Sequence, residues 1–153
     1  MNVERIRATM PLRFRTCVFT LTVLAVALLG CGSLRPVRQA QVTIDLYSGR
    51  ADNPTWMLSP ADTQTLLANV SSLAPVDTTE LSPGNLGYRG FVVELEGSGE
   101  RLRAYQGVVA WQRRQVAVYA DPERTIELWL LATGRQQLEL SLYQTIQSAV
   151  MQP

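Results

Sequence analysis

Over residues 41–47 the side chains alternate: Val42, Ile44 and Leu46 fall on one side, Thr43, Asp45 and Tyr47 on the other. A period of two predicts a strand with one buried face. The pattern returns over 91–96, where Phe91, Val93 and Leu95 share a side. A longer run, 101–111, reads as one strand with Gly107 as a bulge, and 116–119 as a short further strand. Turn residues at 97–99 and 112–115 separate these runs, so they are expected to form an antiparallel meander. Elsewhere the period changes to that of a helix. Leu66, Leu67, Val70 and Leu73 form one stripe, and Leu138, Leu142, Ile146 and Val150 another.

The helix starts carry their own chemistry. Ser59 is suited to cap, Pro60 to the first helical position, and Asp62 to the positive end of the helix dipole; Pro75 ends the stripe. Asp121-Pro122-Glu123 repeats the signature ahead of a helix expected over 123–133, and a last helix is expected over 136–151. Ile126, Leu128 and Leu130 also alternate as a strand would. The cap and the Leu, Glu and Ala content favour the helix. Segments 48–54 and 74–90 read as loops, the second long and rich in Gly and Pro. The expected order is β-α-β-β-β-α-α. It predicts an α+β fold, with an antiparallel sheet of about four strands and helices packed on one face.

The N-terminus follows another logic. Arg5, Arg7, Arg13 and Arg15 precede an apolar stretch over 18–29 that is short for a membrane span. Leu28-Leu29-Gly30-Cys31 follows and resembles a lipobox, the cleavage and acylation site of bacterial lipoprotein signals. That resemblance implies a signal peptide over 1–30, a lipidated Cys31 followed by a tether to residue 40, and a single domain over 41–153. The implied partner is the membrane, held through the lipid on Cys31. Gly32, where an Asp would favour inner-membrane retention, implies the periplasmic face of the outer membrane in a two-membrane bacterium. Met10 opens a shorter, more typical signal and is a second candidate start.

Composition narrows the chemistry. The chain has 14 basic and 13 acidic residues and no His. Every basic residue is Arg. Removing residues 1–30, with four Arg and Glu4, leaves 10 Arg against 12 acids, a net charge of −2. No broad basic footprint for nucleic acid remains, and Arg113-Arg114 reads as a solvated turn. Without His, Lys or a thiol beyond Cys31, the usual nucleophile–base pairs cannot be assembled, nor zinc sites built on imidazole or thiolate. No cofactor or metal site is expected. Glu94 and Glu96 read as solvation of an exposed strand face, and no P-loop Lys follows Gly84, Gly87 and Gly90.

Two segments stand apart, Ser48-Gly49-Arg50-Ala51-Asp52-Asn53-Pro54-Thr55-Trp56 and Leu86-Gly87-Tyr88-Arg89-Gly90-Phe91. Together they resemble the paired Ser-Gly-Arg…Pro-x-Trp and Leu-Gly-Tyr-Arg-Gly-Phe signatures of a group of uncharacterised small proteins, several of them lipoproteins. The resemblance extends to the Trp-Leu-Leu segment at Trp129 and brings no activity with it. Physically, Arg50 and Arg89 would suit a fork for a carboxylate or phosphate, with Trp56 and Tyr88 as apolar walls. The rival reading is structural: the glycines supply turn geometry, Trp56 plugs the seam between sheet and helix, and the arginines pair with Asp45, Asp52 or Glu80.

The expected function is therefore a membrane-anchored envelope lipoprotein whose domain binds an envelope protein or a small anionic ligand without catalysis. Two alternatives stand beside it. One is a hydrolase of cell-wall material using acids such as Asp52, Glu94 or Glu96, which needs two carboxylates facing one cleft. The other is a purely structural or assembly lipoprotein.

Overall fold

The computed structural model describes residues 39–47, 52–77 and 87–152. The segment 1–30 expected as a signal peptide, with Met10, and also Cys31 and Arg50, lie outside the described residues.

The alternation over 41–47 becomes β1 (Ala40–Tyr47). After it come β2 (Thr55–Leu58), α1 (Pro60–Ser72), β3 (Ala74–Pro75) and β4 (Gly87–Leu95). β5 (Glu100–Tyr105), β6 (Val108–Gln112) and β7 (Val116–Ala120) continue the meander. The chain closes with α2 (Thr125–Thr133) and α3 (Leu140–Met151). Among the described residues the fold is α+β, with one antiparallel sheet in the order β2-β1-β4-β5-β6-β7-β3 and three helices.

Seven strands replace the expected four or so, and each discrepancy has a local cause. The run 101–111 is two strands, not one bulged strand. The chain reverses at Gln106 and Gly107, whose φ angles of 48° and 76° make the primed turn that suits a tight hairpin. β2 and β3 have four and two residues, too few for alternation to register. They form because α1 carries the chain from one edge of the sheet to the other. The extended residues before and after it pair with whichever strand they meet: β2 with β1, and β3 with β7. Gly87 to Gly90, expected as loop, belong to β4.

The α1 cap forms as the sequence implies. The Asp62 backbone N–H donates to Ser59 Oγ at 3.1 Å, with Pro60 in the first turn. α2 starts two residues later than expected, because Asp121 reaches forward as its cap and Arg124 adopts a left-handed conformation between them.

Register fixes which side chains share a face. One cross-strand row runs Ile44, Phe91, Ala104, Val109; another runs Trp56, Val42, Val93, Leu102, Trp111. All of these are buried in one core with Leu66 and Val70 of α1, Ile126, Leu130 and Leu131 of α2, and Ile146 and Val150 of α3. The three helices thus cover one face of the sheet. The other face is mixed. Val92, Ala110 and Val118 are buried on it around Arg103, while Gln41, Glu94, Arg101 and Gln112 are exposed.

The β1–β4 ladder slips between Ile44 and Leu46. Gly90 makes the slip possible: its φ is +102°, and a Cβ there would fall 2.4 Å from the Ala104 carbonyl oxygen.

Candidate functional site

Tyr88 is the second residue of β4, opposite Leu46, on the helix side of the sheet. Its ring meets Phe91 edge-on at 5.7 Å and Tyr105 at 6.0 Å. The hydroxyl donates to Glu127 Oε2 at 2.5 Å. Glu127 sits on α2 and is only 1% exposed. Its other oxygen accepts the Gly107 backbone N–H at 3.2 Å. One carboxyl therefore ties three elements together: α2, the start of β4, and the β5–β6 turn.

The junction beside it is equally polar. Asp121 is buried and accepts the backbone N–H groups of Thr125 at 3.0 Å and Ile126 at 2.8 Å, together with the Thr125 hydroxyl. The Asp121 N–H returns to the Gly107 carbonyl at 2.7 Å. The Arg124 guanidinium donates to the Val150 carbonyl at 2.6 Å and to the Gln152 carbonyl, closing the negative end of α3.

Burial is the main force on the Glu127 carboxyl and pushes it above the usual carboxylate range; Asp121 adds to this. The Tyr88 hydroxyl, the Gly107 amide and Arg124 pull the other way without cancelling it. Tyr88 is raised in turn, first by burial and then by the neighbouring Glu127. A carboxyl so enclosed cannot meet a substrate. Its chemistry is internal, as a polar lock inside an apolar core.

Trp56 is 5% exposed. Its indole N–H donates to Thr133 Oγ1 at 3.0 Å, its ring meets Phe91 edge-on at 6.3 Å, and Gly134 lies against it. It fills the seam between β2 and the end of α2. Trp56 and Tyr88 thus flank the same phenylalanine, each with its polar atom bonded inside the protein.

Arg89 is placed elsewhere. Neighbouring strand residues point to opposite faces, and Arg89 joins Asp45 and Arg103 on the face away from the helices. Arg89 Nε stands 4.0 Å from Asp45 Oδ2, and Arg103 donates to the same oxygen at 2.6 Å and to the Arg89 carbonyl at 3.1 Å. The sheet therefore separates Arg89 from the two rings, and the three residues do not line one cavity. Arg50, the fourth member of the expected fork, is outside the described residues.

Of the acids weighed for hydrolysis, Asp52 is exposed and does not border the hollow that takes the others. Glu94 and Glu96 border an open hollow of about 490 Å³ with Gln41, Glu100, Arg101 and Gln112. Glu94 is exposed and lies 3.7 Å from Arg101 on the next strand. A larger hollow, about 710 Å³, lies between the β4–β5 and β6–β7 turns. Its Arg113 stacks on Trp111 at 3.4 Å and lies 3.6 Å from Glu100, which also accepts the Trp111 indole N–H. Among the described residues there is no group of three metal-ligating side chains, and no helix is long and apolar enough to cross a membrane.

Glu127 is the residue the sequence reading passed over. Its spacing was the available signal: it stands three and four positions before Leu130 and Leu131, which places it on the buried side of α2. Compared with protein-family models, curated proteins and solved structures, the chain matches none of them.

Proposed function

We propose that this chain is a bacterial lipoprotein whose domain acts in the cell envelope as a non-enzymatic binding module, with a protein as its partner. The observation that carries the proposal is the junction Leu28-Leu29-Gly30-Cys31 behind a basic start and a short apolar stretch, eight residues ahead of β1. Acylation of Cys31 anchors the domain at a bilayer surface. Each buried CH₂ contributes about 0.8 kcal/mol, so two or three chains make release slow. Gly32 favours the periplasmic face of the outer membrane in a two-membrane organism.

The catalytic inventory supports the non-enzymatic part. Histidine and lysine are missing from the whole chain, and no cysteine follows Cys31. The internal bonds of Trp56 and Tyr88 favour a protein partner over a small anion, because neither ring stands open beside Arg89.

Mass spectrometry of the protein expressed in a bacterial host tests the proposal. The expected N-terminal peptide begins at Cys31 and carries a diacylglyceryl group, and Cys31→Ser leaves the leader uncut. An unacylated mature protein, cut elsewhere or still carrying its leader, overturns it.

A further inference from the structure

β2 is an edge strand of the sheet, with no described strand on its outer side. The Ile44 N–H donates to the Pro54 carbonyl at 3.0 Å. Bonded and non-bonded pairs alternate along an antiparallel ladder. The bonded pairs between β1 and β2 are therefore Val42–Trp56 and Ala40–Leu58, and the pairs Thr43–Thr55 and Gln41–Met57 turn their backbone groups away from each other. On β1 those outward groups meet β4, in step with the 3.0 Å bond from the Glu96 N–H to the Gln39 carbonyl. On β2 they meet no other described residue. The N–H and C=O of Thr55 and Met57 project from the edge, and no partner among the described residues takes them. Both side chains are exposed, Met57 by 44%.

Sheet edges in monomeric proteins are normally blunted by a charge, a proline or a bulge. The opposite edge follows that rule: β3 has two residues, one of them Pro75. β2 reads Thr-Trp-Met-Leu, without a charge, and its register with β1 is unbroken over all four residues.

We propose that β2 pairs with β2 of a second copy of this chain, antiparallel, about a two-fold axis through Trp56. In that register Thr55 of each copy lies opposite Met57 of the other. Each such pair exchanges two N–H···O bonds, so all four outward donors and all four outward acceptors are used once. No like charges face each other across the seam. Pro54 and Pro60 bound the strand, and Pro75 blocks the far edge, so the joined sheet stops at two copies instead of growing into a fibre. Four residues a side is small beside a standard interface of about 1,600 Å². The pairing is accordingly weak and depends on protein concentration. It does not rest on the lipid anchor.

The test is sedimentation equilibrium on the full chain in mild detergent, beside Thr55→Lys/Met57→Lys, which sets like charges opposite each other at the seam. The Cys31→Ser chain is run in parallel to separate this pairing from association through lipid. The expected result is a mass that rises from one copy toward two as concentration increases about a hundredfold, with or without Cys31. The doubly substituted chain is expected to stay monomeric with an unchanged melting temperature. Amide hydrogen exchange on the unsubstituted chain is the second readout and needs no variant. Protection at Thr55 and Met57 is expected to grow with concentration while that of the central strands stays constant. A chain that remains monomeric throughout, or whose two amides gain no protection, overturns self-pairing and leaves this edge to a strand from another protein. A dimer that survives the double substitution also overturns it.

Discussion

A single carboxyl shows how much a residue's meaning depends on its surroundings. On a solvent-facing helix Glu127 would be ordinary. Inside this core it is held by Tyr88 and the Gly107 amide, and burial favours its protonated form. The sign of the consequence follows. Because folding raises the Glu127 pKa, its favourable contribution is complete below the usual carboxylate range and is lost as pH rises through the raised value. Glu127→Gln keeps the shape and an acceptor for Gly107 without a charge to bury. The variant should match the parent at low pH and become the more stable of the two as pH rises. The difference should grow by no more than about 1.4 kcal/mol per pH unit, the limit for one proton. Urea midpoints from about pH 4 to about pH 8 check this. A difference that stays flat would show that folding does not raise the Glu127 pKa.

At the scale of elements, ends matter more than middles. α2 begins where Asp121 receives two backbone N–H groups and a hydroxyl, and its first turn has no other side-chain cap. Asp121→Ala leaves those donors buried without partners, which should cost about 1–3 kcal/mol. Asp121→Asn retains one good acceptor and should lose less. Thermal unfolding of the two variants orders them, and equal losses would mean that the carboxylate geometry carries nothing beyond packing. Hairpin ends were harder to read from sequence. A Gln-Gly pair is a weaker turn signal than Asn-Gly, and alternation continues on both sides of it, so 101–111 looks like one strand. The helix cap at Ser59 was legible because all its parts lie within four residues of one another.

Among the described residues α1 makes the longest crossing of the sheet. α1 leaves the sheet at β2 and delivers the chain to β3 at the far side, and a single buried core runs under the sheet from β2 to β6. Trp56 lies at one end of that core and Trp111 four strands away, and both are buried. Unfolding followed by tryptophan fluorescence should therefore coincide with unfolding followed by far-UV circular dichroism, in one cooperative transition. Separate midpoints would show that the two ends of the sheet open independently.

The sequence by itself determined what is local. It contained the strand at 41–47, the Ser59-Pro60 helix start, the stripes of the first and last helices, the α+β class, and the Leu-Leu-Gly-Cys junction on which the proposed address depends. These are set by periodicity and by capping within a turn, where a residue's neighbours in the chain are also its neighbours in space. Only the tertiary structure decided what depends on distant partners. It made strands of β2 and β3 by giving them β1 and β7 to pair with. It sent Arg89 and Tyr88 to opposite faces by extending β4 back to Gly87. It buried Glu127 by folding a hairpin turn 20 residues away against α2. Pairing and burial are interactions between segments, and their partners are fixed only when the sheet closes over its helices.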